Sequence, residues 1–356
     1  MHHRLGRALV LLAVVASASP GSAAPGGDRL QASTLATPWP VAHIAADGGV
    51  VAVATEREPC PSVGAQAGQV VVWTATTGRT SRFAPGDACA DEIAVAGSRV
   101  AWLIHYCGNS CQLFVVLPKA SGSLREIDEA DNGNGASGDE TGEYLANLYG
   151  AGSLLVYGRW DVVCTETDPQ HPEVCTGTGV RRQRTMRLVG ARSTVIRRGK
   201  EAAAVRAVGG GRIALHAAGD VLVRDARGKL VSTVADPADD PPHAVALTPR
   251  SLVVERSRTI DVYGVASGKK LRSVPLRGAA AFRLSGSASG LALLRGPRRL
   301  VVVRLHDGKR RTLPLTTGAA KIVDARLTDV GAFYAFNAGR HGRVVFEPAS
   351  ALLALF

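Results

Sequence analysis

The chain lacks the short motifs that mark common catalytic and metal sites. It has no His-Glu-x-x-His pair, and residues 286–290 (GSASG) carry Ala288 where a nucleophile elbow requires serine. Gly133, Gly135 and Gly138 have the spacing of a dinucleotide-binding loop, but they lie in the acidic stretch DEADNGNGASGDE, whose carboxylates would repel phosphate. These glycines therefore predict a loop, and no motif assigns a reaction to the chain.

Long hydrophobic runs are also missing beyond the first residues. Residues 8–16 (ALVLLAVVA) follow Arg4 and Arg7 and are too short to cross a bilayer. Small residues come next, so we expect a signal peptide over about residues 1–24, cleaved within residues 18–24. Pro25 disfavours a cut directly after Ala24, and no cysteine nearby indicates a lipid anchor. We expect a secreted or otherwise extracytoplasmic protein without a transmembrane segment.

Acidic residues are the minority, because 42 Lys and Arg against 30 Asp and Glu give a formal net charge of +12. Such a charge indicates either an anionic partner or a solvated basic surface. The basic residues are scattered along the chain rather than clustered, which favours a solvated surface. We therefore expect no specific nucleic-acid partner.

Cysteines are few, and all six lie in one part of the chain, from Cys60 to Cys175. Export to an oxidising compartment makes disulfide bonds the default. Zinc is the alternative, but the spacings Cys107-x3-Cys111 and Cys164-x10-Cys175 do not give the paired Cys-x2-Cys pattern of zinc modules. Disulfides are the expected state of these cysteines.

What is abundant is a repeating hairpin. A short β-branched run, a few polar residues, a glycine and a second strand recur around Gly78, Gly122, Gly228, Gly268 and Gly308, the last three 40 residues apart. A second pair of strands precedes each hairpin, and no ten-residue stretch has a helical period. Seven such units begin near Val41, Ile93, Leu145, Val205, Val245, Phe282 and Ile322.

Two hairpins per unit predict a four-stranded antiparallel sheet, the size of one propeller blade. The sequence therefore predicts an all-β, seven-bladed β-propeller over residues 39–356, as a single monomeric domain. Residues 25–38 form a separate N-terminal segment. Either residues 30–37 or residues 351–356 would supply the strand that closes the ring, and both alternatives stay open.

Two stretches, AADGGVVAVATE (residues 45–56) and VVVWTATTGRT (residues 70–80), are similar to units of known propellers. The chain resembles the broad superfamily of Trp-Asp-repeat, quinoprotein-type and periplasmic Tol-type propellers over nearly all of residues 40–356. Neither a Trp-Asp dipeptide nor a tryptophan recurs regularly from unit to unit. The resemblance implies the fold and carries no functional residue to this chain.

Because antiparallel strands alternate in direction, the loops of a propeller emerge on two faces. We call one the cysteine face: it holds the turns between the second and third strands and the links between blades. We call the other the turn face. All six cysteines fall on the cysteine face, with predicted pairs Cys60–Cys89, Cys107–Cys111 and Cys164–Cys175.

Charge is predicted to separate between these faces. The cysteine face collects the acidic residues Asp87, Asp91, Glu92, Asp128, Glu129, Asp131, Asp139, Glu140, Glu143, Asp236, Asp239 and Asp240. The turn face collects the basic residues Arg79, Arg99, Arg192, Arg212, Arg227, Lys229, Arg250, Lys269, Lys270, Lys309, Arg310 and Arg311. This placement predicts a disc with one acidic and one basic face. Exposure to solvent is the simple explanation for each of these charges taken singly.

Two candidate ligand sites follow from the same placement. Hard oxygens of Asp128, Glu129, Asp131, Asn132 and Asn134 offer a site for Ca²⁺ without the spacing of an EF-hand. Inner strands of a propeller line its central channel, and there the polar side chains are His43, Glu92, Asn147, Arg206, His243, Arg283 and Asp324. Five of these are candidate metal ligands: His43, Glu92, Asn147, His243 and Asp324.

The function that this pattern favours is an exported, non-catalytic scaffold that binds a protein or an envelope component on the cysteine face. The candidate binding residues are Asp128, Asp131, Asp139, Glu140, Trp160 and His171. One alternative is a propeller enzyme (a lactonase, lyase or hydrolase) with a metal in the channel. A third hypothesis is attachment to the cell envelope through the basic turn face.

Overall fold

The structure is a computed structural model, and it describes residues 31–57, 68–84, 89–107, 111–132, 141–171, 175–199, 203–237, 239–276, 283–315 and 320–356. These residues form 28 strands in seven four-stranded antiparallel sheets, together with one short helix, α1 (Ala349–Leu353). The prediction of an all-β, seven-bladed propeller is confirmed. No helix in the described part of the chain is long and apolar enough to cross a membrane.

Each blade is built from strands that are consecutive in the chain, except the last. The first strand is β1 (Ser33–Thr37). Blades 1 to 3 comprise β2 (Val41–Asp47), β3 (Val50–Thr55), β4 (Val70–Thr74) and β5 (Arg79–Phe83); β6 (Cys89–Ala96), β7 (Arg99–Cys107), β8 (Cys111–Pro118) and β9 (Leu124–Asn132); and β10 (Gly142–Ala151), β11 (Leu154–Thr167), β12 (Cys175–Val189) and β13 (Arg192–Gly199).

Blades 4 to 7 continue in the same way. They comprise β14 (Ala203–Gly209), β15 (Arg212–Ala217), β16 (Asp220–Asp225) and β17 (Leu230–Ala235); β18 (Ala244–Leu247), β19 (Ser251–Glu255), β20 (Thr259–Gly264) and β21 (Lys270–Pro275); β22 (Arg283–Ala288), β23 (Leu291–Arg295), β24 (Leu300–Arg304) and β25 (Arg310–Leu313); and β26 (Ile322–Thr328), β27 (Gly331–Ala338), β28 (His341–Pro348) and β1. Each predicted blade start lies in an inner strand or one residue before it.

The ring closes because blade 7 takes its outer strand from the other end of the chain. β1 pairs with β28, with Leu35 opposite Val344. The inner strands touch in a complete cycle, β2, β6, β10, β14, β18, β22, β26 and again β2. The alternative in which residues 351–356 close the ring is wrong. Since β1 occupies the outer edge of β28, the C-terminal residues turn into α1 and a final turn, with Phe356 packed under Arg304.

The repeated glycines have a packing reason as well as a turn reason. Gly228 and Gly268 lie at the turns that enter the outer strands of blades 4 and 5, with φ of +86° and +65°. A Cβ at Gly228 would lie 2.0 Å from the Ile196 carbonyl oxygen of the preceding blade. One at Gly268 would lie 2.5 Å from the Thr233 oxygen. Both positions therefore need a residue without a side chain.

The core lies between neighbouring blades, where the apolar sides of two sheets face each other. Trp102 is fully buried among residues of blades 1 and 2, including Ala52 and Val116. At the closure between blades 7 and 1, the rings of Trp73 and Phe333 pack edge to face with centroids 6.2 Å apart. Closing the ring thus buries apolar surface on both sides of every blade.

Carboxylates near the channel join neighbouring blades. Glu92 of blade 2 accepts the backbone N–H groups of Asn147 at 3.0 Å and Leu148 at 2.5 Å, where a bulge in β10 removes them from the strand ladder. Glu255 of blade 5 accepts the N–H of Leu284 at 2.6 Å in blade 6. These acids satisfy buried amides that the sheets leave unpaired.

Asp324 makes the same kind of bond across the closure of the ring. Its Oδ2 accepts the N–H of Ile44, in blade 1, at 3.0 Å, and its Oδ1 accepts the N–H of Ala325 at 2.8 Å and bonds Arg326. Blades 7 and 1 are therefore held by this bond as well as by the apolar packing.

A buried ionic cluster joins blades 4 and 5. Arg256, 3% exposed, pairs with Asp236 from the link between the blades and with Asp261 of β20, where Nε and Oδ2 are 3.2 Å apart. Lys270 also reaches Asp261 at 2.7 Å, and Ser273 donates to it at 2.6 Å. Two buried carboxylates thus depend on one buried guanidinium and its neighbours.

Removing β1 tests the closure. The free energy of unfolding should be at least about 2 kcal/mol lower for a chain that starts at Pro38 than for one that starts at Gln31, because the apolar edge of β28 loses its cover. It should also aggregate more readily through that open edge. Urea unfolding and light scattering measure both. Equal stability of the two chains would contradict a closing role for β1.

Arg256→Met removes the buried cation and keeps the length of the side chain. The cost should be about 3–5 kcal/mol, since Asp236 and Asp261 keep their charge without their main partner. Arg258→Met is the matched control, two residues away and exposed, where the change should stay within about 0.5 kcal/mol. Chemical unfolding measures the free energy of unfolding of both variants. A similar loss of stability in the two would argue against a stabilising role of the cluster.

Candidate functional site

The central channel contains a cavity of about 580 Å³. All seven inner strands, or residues next to them, contribute to its wall. One residue from each blade in turn is Ile44, Glu92, Asn147, Arg206, Val245, Ser285 and Arg326. The volume lies within the range of small-molecule pockets, and its wall carries both charged and apolar side chains.

Four of the five predicted metal ligands line this cavity: His43, Glu92, Asn147 and His243. The fifth, Asp324, does not line it. Both oxygens of Glu92 are taken by backbone N–H groups, and both oxygens of Asp324 are likewise engaged. No group of three or more His, Cys, Asp or Glu side chains in the described ranges is placed to hold a metal ion.

Burial controls the charge of the groups around the channel. It raises the pKa of Glu92, against the two N–H bonds that favour the carboxylate. Burial lowers the pKa of His43, although Asp324 opposes that shift, so the imidazole stays neutral near pH 7. The hydrogen bond that His105 donates to the Asp91 carboxylate raises the pKa of His105. The channel thus contains several acids that already have protein partners.

Asn147 adopts an unusual backbone conformation in the channel wall. Its φ is +60°, a left-handed value that is uncommon for a residue with a side chain. The residue lies in the bulge of β10, and its N–H points at Glu92. The sequence signal was an asparagine inside a predicted strand, but the bulge and its carboxylate partner could not be read from the sequence.

On the cysteine face, one hairpin projects beyond its blade. β11 and β12 pair as far as Thr167 opposite Cys175, whereas β10 begins only opposite Val162. Residues 163–167 and 175–179 therefore form a two-stranded extension, and residues 163–179 are here called the stapled arm. The five residues 163–167 of β11, four of them paired with β12, reach about 17 Å past the blade at about 3.4 Å per residue.

A disulfide crosses the stapled arm. Cys164 and Cys175 are bonded, with Cα atoms 5.7 Å apart, which confirms that predicted pair. Cys111 is also disulfide-bonded, and its backbone partner across β7 and β8 is Cys107. The side chain of Cys107 lies outside the described residues, so Cys107–Cys111 stays a prediction. Cys60 and the side chain of Cys89 lie outside the described residues, so Cys60–Cys89 stays a prediction.

Charged side chains brace the base of the stapled arm. Arg159 of β11 bridges Asp128 of β9 and Glu143 of β10. Arg184 of β12 lies 3.3 Å from Asp161 and 3.5 Å from Glu143. These pairs link blade 2 to blade 3 and alternate in sign, so the base is a network rather than an acidic patch.

Aromatic side chains complete the base. Trp160 stacks on Tyr144, with ring centroids 6.0 Å apart and an interplanar angle of 8°. Tyr157 is fully buried, and its hydroxyl group donates a hydrogen bond to Asp128 at 2.5 Å. Burial is the main cause that raises the pKa of Tyr157, and the hydrogen bond to Asp128 is the second. The hydroxyl therefore stays protonated and holds Asp128 in place.

The predicted binding residues thus divide into two groups. Asp128 and Trp160 hold the base together, whereas Asp131 and His171 are exposed. Asp139 and Glu140 lie outside the described residues.

The proposed Ca²⁺ site does not form as a loop among the described residues. Asp128, Glu129, Asp131 and Asn132 lie in strand β9, where successive side chains point to opposite sides of the sheet and cannot converge on one ion. Asp128 is also already bound to Arg159 and Tyr157. Asn134 lies outside the described residues.

The predicted separation of charge between the faces is not complete. The turns of the turn face carry the predicted basic residues together with the acids Asp47, Asp225, Asp307 and Asp329. The prediction of an acidic cysteine face is wrong, because arginines occupy its turns next to the acids. These arginines are Arg57, Arg256, Arg258, Arg298, Arg299 and Arg340. The prediction was based on the acidic residues of this face and did not include these arginines.

Comparison with known proteins supports the fold and nothing finer. No model of a protein family matches the sequence, and no curated protein matches it. Among solved structures, the chain is similar to a chain in the crystal structure of the mitotic checkpoint complex, with a TM-score of 0.50 and 14% identity. The match covers 95% of this chain and 99% of that one. At this identity the similarity shows a shared propeller architecture.

Proposed function

We propose that the chain is an exported, monomeric and non-catalytic scaffold that holds a protein partner through the stapled arm and its base. The observation that carries this proposal is the arm itself, a braced ribbon that extends past a closed ring. A rigid framework that presents a projecting element is the usual arrangement of a recognition site.

The edges of the stapled arm suggest how it would bind. β10 covers β11 only up to Val162, and β13 covers β12 only from Gln183 onward. Beyond these residues, no described strand pairs with the outer edges of the ribbon. Unpaired N–H and C=O groups at such an edge can accept an extended segment of a partner as an added strand.

The surface next to the ribbon has the mixed character of a protein-binding surface. Val180 is 39% exposed on β12, and Tyr106 is 41% exposed at the neighbouring hairpin of blade 2. The exposed Arg182 pairs with Asp161 at 3.3 Å. Apolar side chains beside charged ones match the composition of protein interfaces better than that of a metal pocket.

Removal of the stapled arm is the direct test. Val162 and Val180 are directly opposed, so residues 163–179 can be replaced by Asn-Gly, which favours a two-residue hairpin turn. The replacement removes both cysteines of the disulfide, so that no unpaired thiol remains. Partner capture should fall by about tenfold or more, because about 1.4 kcal/mol of contact is enough for that change.

Capture is measured by quantitative mass spectrometry of proteins retained by the immobilised chain, followed by calorimetry with the purified partner. Lys309→Ala with Arg310→Ala, on the turn face, is the control and should capture as the unchanged chain does. A purified partner that binds the armless ring with unchanged affinity would refute the proposal.

Export is tested separately. The protein recovered outside the cytoplasm should begin within residues 19–25, which intact mass or N-terminal sequencing reads directly. Leu11→Arg with Leu12→Arg should retain the chain inside the cell, because two charges break the apolar run that the export machinery recognises. Export of that variant at the normal level would contradict the role assigned to residues 1–24.

A further inference from the structure

The channel contains an arginine whose charge no described residue balances. Arg206 lies at a bulge in β14, where the register shifts between Val205 and Ala207, and it lines the cavity. The side chain is exposed, and it makes no hydrogen bond or ion pair within the part of the chain that the structure describes. A guanidinium that faces a confined channel is a ready partner for an anion.

The carboxylates around the cavity offer Arg206 little competition. Glu92 accepts two backbone N–H groups, and Asp324 binds the N–H of Ile44, the N–H of Ala325 and Arg326. Asp91 is paired with His105. Since these acids already have protein donors, the hydrogen-bonding groups left for a ligand are mainly donors.

Two further donors lie in the same cavity. Tyr149 of blade 3 lines it, and burial raises its pKa, so the hydroxyl stays protonated and can donate near neutral pH. Arg326 of blade 7 also lines it and is 40% exposed. In the described ranges only its Nη1 is hydrogen-bonded, at 2.6 Å to Asp324 and 2.8 Å to a carbonyl oxygen. The remaining nitrogens can point at a ligand.

We propose that the channel binds a small organic oxyanion, a carboxylate or a phosphate ester, through Arg206, Arg326 and the hydroxyl of Tyr149. The planar fork of a guanidinium matches both groups with two parallel hydrogen bonds. The cavity of about 580 Å³ is large enough for a ligand of metabolite size. This site is separate from the stapled arm and does not depend on it.

Calorimetric titration with inorganic phosphate and with citrate, at equal ionic strength, tests the site and distinguishes the two chemistries. The unchanged chain should bind at least one of them, and Arg206→Gln should weaken that binding by about tenfold. Arg227→Gln is the matched control, an exposed arginine of the same blade on the turn face, and should bind as the unchanged chain does.

Tyr149→Phe gives a second, milder test that does not depend on the folding of the Arg206 variant. It should weaken binding by about threefold, the effect of one lost hydrogen bond. The armless ring should bind phosphate or citrate normally, which separates this site from the proposed partner surface. The proposal fails if neither probe binds, if Arg206→Gln binds equally well, or if Arg227→Gln weakens binding as much.

Discussion

The pairing of β1 with β28 is the constraint on which the rest of the structure depends. Each blade is a four-stranded sheet whose two sides are covered by neighbours, so no blade can be stable without both of them. Only a closed cycle gives every blade two neighbours, and the cycle closes where Leu35 and Val344 come opposite each other. The same closure brings Trp73 against Phe333 and Asp324 against the N–H of Ile44.

Closure also determines the chemistry of the channel. Bulges in the inner strands release backbone N–H groups near the channel, and carboxylates of neighbouring blades satisfy them. Glu92, Glu255 and Asp324 therefore act as structural links between blades. This use of the acids explains why polar residues from several blades reach one cavity without forming a metal site. It also leaves Arg206 as a charge that the described protein does not neutralise.

The rigid ring separates two regions with different chemical abilities. The stapled arm, braced by Arg159 and Arg184 at its base, has outer strand edges that no described strand pairs with. The channel, lined by Arg206 and Tyr149, is suited to a small ligand. Because the two regions lie on different parts of blades 3 and 4, one can be changed by mutation without loss of the other. The two proposed sites can therefore be tested independently on one framework.

The sequence by itself determined the number of blades, their boundaries and the pair Cys164–Cys175, because hairpins and neighbouring cysteines depend on residues that are close along the chain. The 40-residue spacing of Gly228, Gly268 and Gly308 records a local turn with a positive φ. Only the tertiary structure decided that residues 351–356 leave the sheet, that Glu92 binds amides of the next blade, and that arginines share the cysteine face. Those outcomes depend on contacts between residues far apart in the chain, and such contacts exist only after the ring has closed.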